Sequence, residues 1–287
     1  MADSSLQQYH SHPRQYEQNK FVYPVVSRRS RGISIGVNLN PDKVCNFDCI
    51  YCQVDRRSES ETRFVEMDRL LTEIDQMLGF VASGEIYQDS RFANLPPKLQ
   101  RLNDLAFSGD GEPTTFKNFN EIMERVADLK RQHHLPEVKM VLITNASMFH
   151  REKVQQGLRT LDQNNGEIWA KLDAGTQAYY HLVDRSRIPF SRILDNLLSA
   201  SRIRPLVIQS LFMRVAGESP TVAEIDAYVA RLNGIQQQGG SLKLVQIYTV
   251  ARPPAESFVA PLPDDEVDAL VQRVTRETGL PAEAYYS

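Results

Sequence analysis

Ile33-Ser34-Ile35-Gly36-Val37-Asn38-Leu39-Asn40-Pro41-Asp42-Lys43-Val44-Cys45-Asn46-Phe47-Asp48-Cys49-Ile50-Tyr51-Cys52 joins a strand pattern to a cysteine cluster. Apolar residues alternate from Ile33 to Leu39, which predicts the first strand of the fold. Asn40-Pro41 ends it as a turn, so Cys45, Cys49 and Cys52 fall on the loop that follows. Their spacing, C-x3-C-x2-C, lets three thiolates ligate three irons of a cubane and leave the fourth iron open, whereas ferredoxin-type clusters use four cysteines. The spacing leaves two other readings open. One is a structural zinc completed by His133, His134, His150 or His181; the other is three unrelated reduced thiols.

Outward from this stretch, strand and helix patterns alternate. Phe64 to Val81 carries a helical stripe in Val65, Leu70, Leu71, Ile74, Met77 and Leu78. Ala82 to Leu102 is polar with paired prolines and reads as a loop. Strands are expected over 104–108, 139–144, 168–172, 206–213 and 242–250, and helices over 116–131, 151–161, 190–201, 221–232 and 263–278. Gly234 to Ser241 reads as a turn. Six strand–helix units in alternation predict an α/β fold of parallel strands joined by right-handed crossovers. The count falls short of the eight of a closed barrel. An open (β/α)6 barrel and a doubly wound sheet both fit the pattern.

Composition narrows the classes of function. The chain has 287 residues, 41% hydrophobic, with a formal net charge of −3. That balance gives no global footprint for nucleic acid or membrane. No run is apolar for long enough to span a bilayer, and the start of the chain is polar, without a signal sequence. The expected location is therefore the cytoplasm, where thiols stay reduced. Three cysteines within eight residues do not make a disulfide framework. Residues 1–31 read as a polar N-terminal extension and 32–287 as one domain ending in a helix.

The cysteine spacing, with Tyr51 before the last cysteine, resembles the signature of the radical S-adenosylmethionine (SAM) superfamily. The resemblance implies a partial (β/α)6 TIM-like barrel of parallel strands with the motif on the loop after the first strand. It also implies a [4Fe–4S] cluster on Cys45, Cys49 and Cys52 whose open iron binds the amino and carboxylate groups of SAM. An electron from the cluster then cleaves SAM to methionine and a 5′-deoxyadenosyl radical, which takes hydrogen from a substrate. A second motif supports it. Ser108-Gly109-Asp110-Gly111-Glu112-Pro113-Thr114 follows the second expected strand, and Gly111-Glu112-Pro113 is similar to the family's Gly-Gly-Glu-Pro element, with Asp110 in place of the first glycine. Glycines admit close backbone approach, and a carboxylate can accept hydrogen bonds from an ammonium. An ordinary strand-to-helix turn with acidic residues near a helix start is the plainer reading.

The other strand ends give weaker candidates, since ligands of parallel α/β folds bind at the carboxyl ends of strands. Thr144 and Asn145 end one strand and also suit a cap. Lys171 and Asp173 share a face; they suit either the SAM carboxylate and ribose or a simple ion pair. Gln209, Arg214 and Gln246 are polar groups in apolar strands that need partners if buried. By the resemblance, the SAM-binding set is Tyr51, Gly109, Asp110, Gly111, Glu112, Thr114, Asn145, Lys171, Asp173 and Gln246. Arg28, Arg29 and Arg31 suit an anionic substrate or a solvated basic turn. Met213 reads as core filling.

Ile33 to Cys52, the GDGEPT element and Lys171 to Gly175 are most similar to a bacterial group related to the tRNA wyosine-base (4-demethylwyosine) synthases. Those enzymes carry a second cluster on further N-terminal cysteines. This chain has three cysteines in all, so making the wyosine precursor from pyruvate is not expected of it. A tRNA or nucleotide base as substrate stays open, beside radical modification of a protein or peptide and a non-catalytic zinc- or iron–sulfur-binding module. An electron donor such as flavodoxin or ferredoxin is the implied partner, to a monomer.

Overall fold

A computed structural model describes residues 16–56 and 58–287. Residues 1–15 of the expected polar extension lie outside the described residues. Where it is described it holds a strand, β1 (Val22–Ser27), antiparallel to β2 (Gly32–Val37). Pro24 argues against a central strand, but β1 is an edge strand, where a missing N–H costs no ladder bond.

The remaining elements are α1 (Met67–Ala82), β3 (Leu102–Phe107), α2 (Phe119–Gln132), β4 (Lys139–Thr144), α3 (Glu152–Gln163), β5 (Gly166–Lys171), α4 (Gln177–Val183), α5 (Phe190–Ser201), β6 (Leu206–Leu211), β7 (Met213–Val215), α6 (Val222–Gln237), β8 (Leu242–Tyr248), β9 (Val259–Pro261), α7 (Asp264–Thr278) and β10 (Ala282–Tyr285). The strand order is β1-β2-β3-β4-β5-β6-β8-β10, with β7 and β9 forming a separate antiparallel pair. From β2 to β8 the six strands follow chain order without reversal. A doubly wound sheet reverses its order at a switch point; the sequential order is that of a partial (β/α)6 barrel. β10 adds a strand parallel to β8.

The chain divides into two compact units. The first takes in the chain up to Val44, Glu59–Ile143 and Arg151–Glu167. Here β2 is buried at all six positions, as parallel interior strands are. α2 buries Phe119, Ile122, Met123, Val126 and Ala127 on one stripe, the four larger side chains each worth roughly 1.5–3 kcal/mol if fully buried. Lys130 ends the stripe, its buried ammonium donating to the carbonyls of Val138 (2.7 Å) and Asn164 (2.6 Å). In the β1–β2 turn, Asn103 donates to the Ser30 carbonyl, and Ile33 N donates to Arg101 O at 2.8 Å.

The second unit takes in Cys45–Ser58, Thr144–His150 and Ile168–Ser287. Its pairings put Lys171 beside Gln209, and Gln209 beside Gln246, on neighbouring strands. The turn expected after residue 232 begins later, because α6 continues through Gly234 to Gln237. Gly175 follows β5 where α6 comes closest: a Cβ there would stand 2.1 Å from the Tyr228 amide.

Candidate functional site

The cysteine loop has no regular secondary structure, yet its backbone is tied down. Asp48 N donates to Asp184 O (3.1 Å), Ile50 N to Val183 O (2.9 Å) and Cys52 N to Cys49 O (3.0 Å), and Ile50 O accepts from Glu256 N (3.2 Å). Phe47, Ile50 and Tyr51, between the cysteines, turn inward. Phe47 meets the edge of Tyr180, which stacks on Phe190. Ile50 and Tyr51 join a core with Val183, Leu211, Met213, Val250 and Val259. The three cysteines are left half-buried and free of disulfides.

Around Cys49 and Tyr51 lies a buried polar cluster. The Tyr51 hydroxyl stands between two carboxylates, those of Asp173 and Asp184, the latter at 3.0 Å. Asp184 Oδ1 also accepts from the Cys49 thiol at 3.4 Å. Lys171 Nζ lies 3.1 Å from Asp173 Oδ2, 3.3 Å from the Tyr248 hydroxyl and 4.6 Å over the Tyr51 ring. The other Asp173 oxygen accepts from Leu211 N at 2.7 Å. Burial pushes the Asp184 carboxyl up to about 7, reinforced by the neighbouring Asp173 charge. Burial acts to lower the Lys171 ammonium, but Asp173 and then Tyr248 outweigh it and hold Lys171 well above its usual value. Burial, then both carboxylates, push the Tyr51 phenol far up.

Two further contacts reach the loop. Asn145 donates to Asn46 Oδ1 at 2.8 Å and accepts from Ser147 N at 3.1 Å, while Asn46 donates to Ser147 Oγ at 2.7 Å. Asn145 is thus a brace for the residue beside Cys45. Arg56 Nη2 donates to Cys52 Sγ at 3.6 Å, and the guanidinium also neighbours Cys45. Burial acts against that charge, but the two sulfurs outweigh it and raise Arg56 above its usual value.

In the first unit the GDGEP loop is fastened to the end of β2. Asn38 donates to Asp110 Oδ2 at 2.6 Å, and its own Oδ1 accepts from the amides of Asn40 (3.0 Å) and Asp110 (3.2 Å). This gives Asp110 a local role. Glu112 is buried and caps the turn Pro113–Thr115, accepting from the Thr114 amide at 3.1 Å and from the Thr114 hydroxyl. A Cβ on Gly111 would stand 2.2 Å from the carbonyl of Val44, the residue before Cys45, and 2.8 Å from Asn40 Cβ.

Of the sequence-expected residues, Tyr51, Lys171 and Asp173 are in mutual contact, Cys49 joins them through Tyr51 and Asp184, and Asn145 joins the cysteine loop through Asn46. Gln246 accepts from Gln209 at 2.7 Å, in register with Lys171 across β5, β6 and β8. Gly109, Asp110, Gly111, Glu112 and Thr114 form their own hydrogen-bonded turn. Arg214 pairs with Glu266 at 2.5 Å and belongs to neither group. The basic turn at 28–31 precedes β2, whereas the GDGEP loop follows β3, a parallel neighbour. A six-residue strand is about 20 Å long, so those arginines lie at the opposite end of the strands from the loop. Asp184, Asn46, Ser147, Arg56 and Tyr248 were not singled out from the sequence. Among the described residues, no three His, Cys, Asp or Glu side chains are gathered closely enough to hold one metal ion.

No family model matches the chain. It is 28% identical over 255 residues to a UPF0026 protein of Helicobacter pylori, covering 85% of this chain and 70% of that protein. It is 23% identical over 249 residues to a GTPase Obg of Brachyspira hyodysenteriae, covering 85% of this chain but only 32% of that protein. This sequence has no Gly-Lys pair and so no phosphate-binding P-loop. A UPF0026 protein of Methanocaldococcus jannaschii is 24% identical over 181 residues, 61% of this chain and 48% of that one. Among solved structures, TYW1 with a lysine–pyruvate adduct bound aligns at a TM-score of 0.48 and 16% identity, over 86% of this chain and 74% of that one. The chain is thus similar to the UPF0026 proteins over most of its length, and it bears a C-x3-C-x2-C motif after β2 and a Gly-Glu-Pro loop after β3.

Proposed function

We propose that this chain is a radical SAM enzyme in which Cys45, Cys49 and Cys52 hold a [4Fe–4S] cluster. The observation that carries the reading is the cysteine loop: three half-buried thiols, the only sulfhydryls of the chain, on a backbone anchored at Asp48, Ile50 and Cys52. Three soft sulfur donors fit iron–sulfur chemistry and leave one iron for an exchangeable ligand. When bound, the cluster supplies the electron that cleaves SAM to methionine and a 5′-deoxyadenosyl radical.

The chain's own groups supply the rest. Gly111 gives close backbone access and Glu112 a buried carboxylate for the SAM ammonium, with Gly109, Asp110 and Thr114 shaping that turn. Lys171 offers a cation for the SAM carboxylate. Asp173 and Gln246 line the same face for the ribose, Tyr51 fixes Asp173, and Asn145 braces the loop. Tyr51 and Asp173 are buried and Lys171 is only partly exposed, so little water reaches this face and its charged contacts are strengthened. The proposed substrate is a nucleotide base, in tRNA or free, on the resemblance alone; the basic turn at 28–31 lends it no support. A reductant such as flavodoxin or ferredoxin and a reducing compartment, the cytoplasm, complete the reading.

The test is anaerobic incubation of dithionite-reduced, cluster-loaded protein with SAM, followed by chromatography. Equal amounts of 5′-deoxyadenosine and methionine, formed slowly without substrate, are expected. A fully loaded protein that leaves SAM intact would contradict the proposal.

A further inference from the structure

Arg56 lies four residues past Cys52, and no part of the resemblance assigns it a role. Its guanidinium is half-buried, donates to Cys52 Sγ at 3.6 Å and neighbours Cys45 as well. The other arginine near the loop behaves differently: Arg185 turns to carboxylates, Glu256 at 2.5 Å and Asp48 at 3.9 Å. Arg56 is thus a cation directed at sulfur. A guanidinium is charged at every accessible pH and presents several donors in a fixed fork, so it can serve two sulfurs together.

We infer that Arg56 is a positioning residue for the cluster, hydrogen-bonding the Cys45 and Cys52 thiolates and making the bound cluster easier to reduce. The inference rests on the proposal that these cysteines hold the cluster. Reduction adds one electron, from dithionite or a flavodoxin, to an already anionic assembly. A fixed positive charge beside two ligand sulfurs stabilises the reduced form more than the oxidised one. Hydrogen bonds to ligand sulfurs and net charge are among the settings that fix such potentials.

The experiment compares wild-type, Arg56→Gln and Arg56→Lys proteins, reconstituted anaerobically, by iron and sulfide content and by redox titration followed by electron paramagnetic resonance. Arg56→Gln should be about tenfold harder to reduce, which for one electron is a potential about 59 mV lower. Arg56→Lys, which keeps the charge, should stay nearer wild type. A cluster-loaded Arg56→Gln protein with the wild-type potential overturns the inference. If Arg56→Gln takes up no cluster although wild type does, the rate of iron loss to a chelator decides. Arg56→Lys holding iron as wild type does supports the inference, and Arg56→Lys failing to hold it overturns it. A wild-type protein that binds no cluster would instead overturn the reading on which the inference stands.

Discussion

Replacing Cys45, Cys49 or Cys52 with alanine is expected to abolish the cluster and, with it, all SAM cleavage. On the proposed reading each thiolate would hold a different iron, and the chain has no fourth cysteine to take over. The loop backbone is anchored through Asp48 and Ile50 rather than through sulfur, so the fold should survive all three changes. The thiols are half-buried and the side chain removed is small. Iron and sulfide should fall from about four of each per chain to near zero, while far-UV circular dichroism matches wild type. Full iron and sulfide in the Cys49→Ala protein would show that this thiol is not a ligand, and would favour the Cys49–Asp184 hydrogen bond as its sole role.

The second large effect is expected at Gly111. Its Cβ position is 2.2 Å from Val44 O and 2.8 Å from Asn40 Cβ, both backbone or near-backbone atoms that cannot swing aside. Valine there must displace the turn that Asn38 and Glu112 hold. Overpacking costs about 1–3 kcal/mol of stability. The loss of one charge-assisted hydrogen bond to the SAM ammonium, worth roughly 1.5–3 kcal/mol, corresponds to about a 10- to 100-fold weaker affinity. Equilibrium binding of SAM to anaerobic, cluster-loaded protein measures it. Unchanged affinity in Gly111→Val would remove this loop from the SAM site.

Much of the fold is readable along the chain because local pattern and tertiary burial agree. Lys139–Thr144 is a strand and Phe190–Ser201 a helix in sequence and structure alike. The misses have local causes. Pro24 disguises β1, the three-residue β9 and four-residue β10 are too short to show a period, and Gly234 sits inside α6 in open space where its lack of a side chain breaks nothing. Pattern alone left barrel and doubly wound sheet undecided, since strand order is a long-range property.

The candidate site divides in the same way. The cysteines, Gly111-Glu112-Pro113 and the Lys171–Asp173 pair announce themselves by spacing. Asp184 does not: it follows a short helix, far along the chain from Cys49, and nothing near it in sequence marks it as a partner of a thiol and a phenol. Asn46 and Ser147 look like ordinary loop residues until Asn145 joins them. Arg28, Arg29 and Arg31 show the opposite failure: a conspicuous basic run whose place before β2 puts it at the wrong end of the strands for the role considered.

The most direct measurement is the metal and sulfide content of the wild-type chain after anaerobic reconstitution, read with its absorption spectrum. About four iron and four acid-labile sulfide per chain are expected, with a broad brown absorbance that bleaches in air. Near-stoichiometric zinc without sulfide would contradict it, and would make the three thiols a structural site.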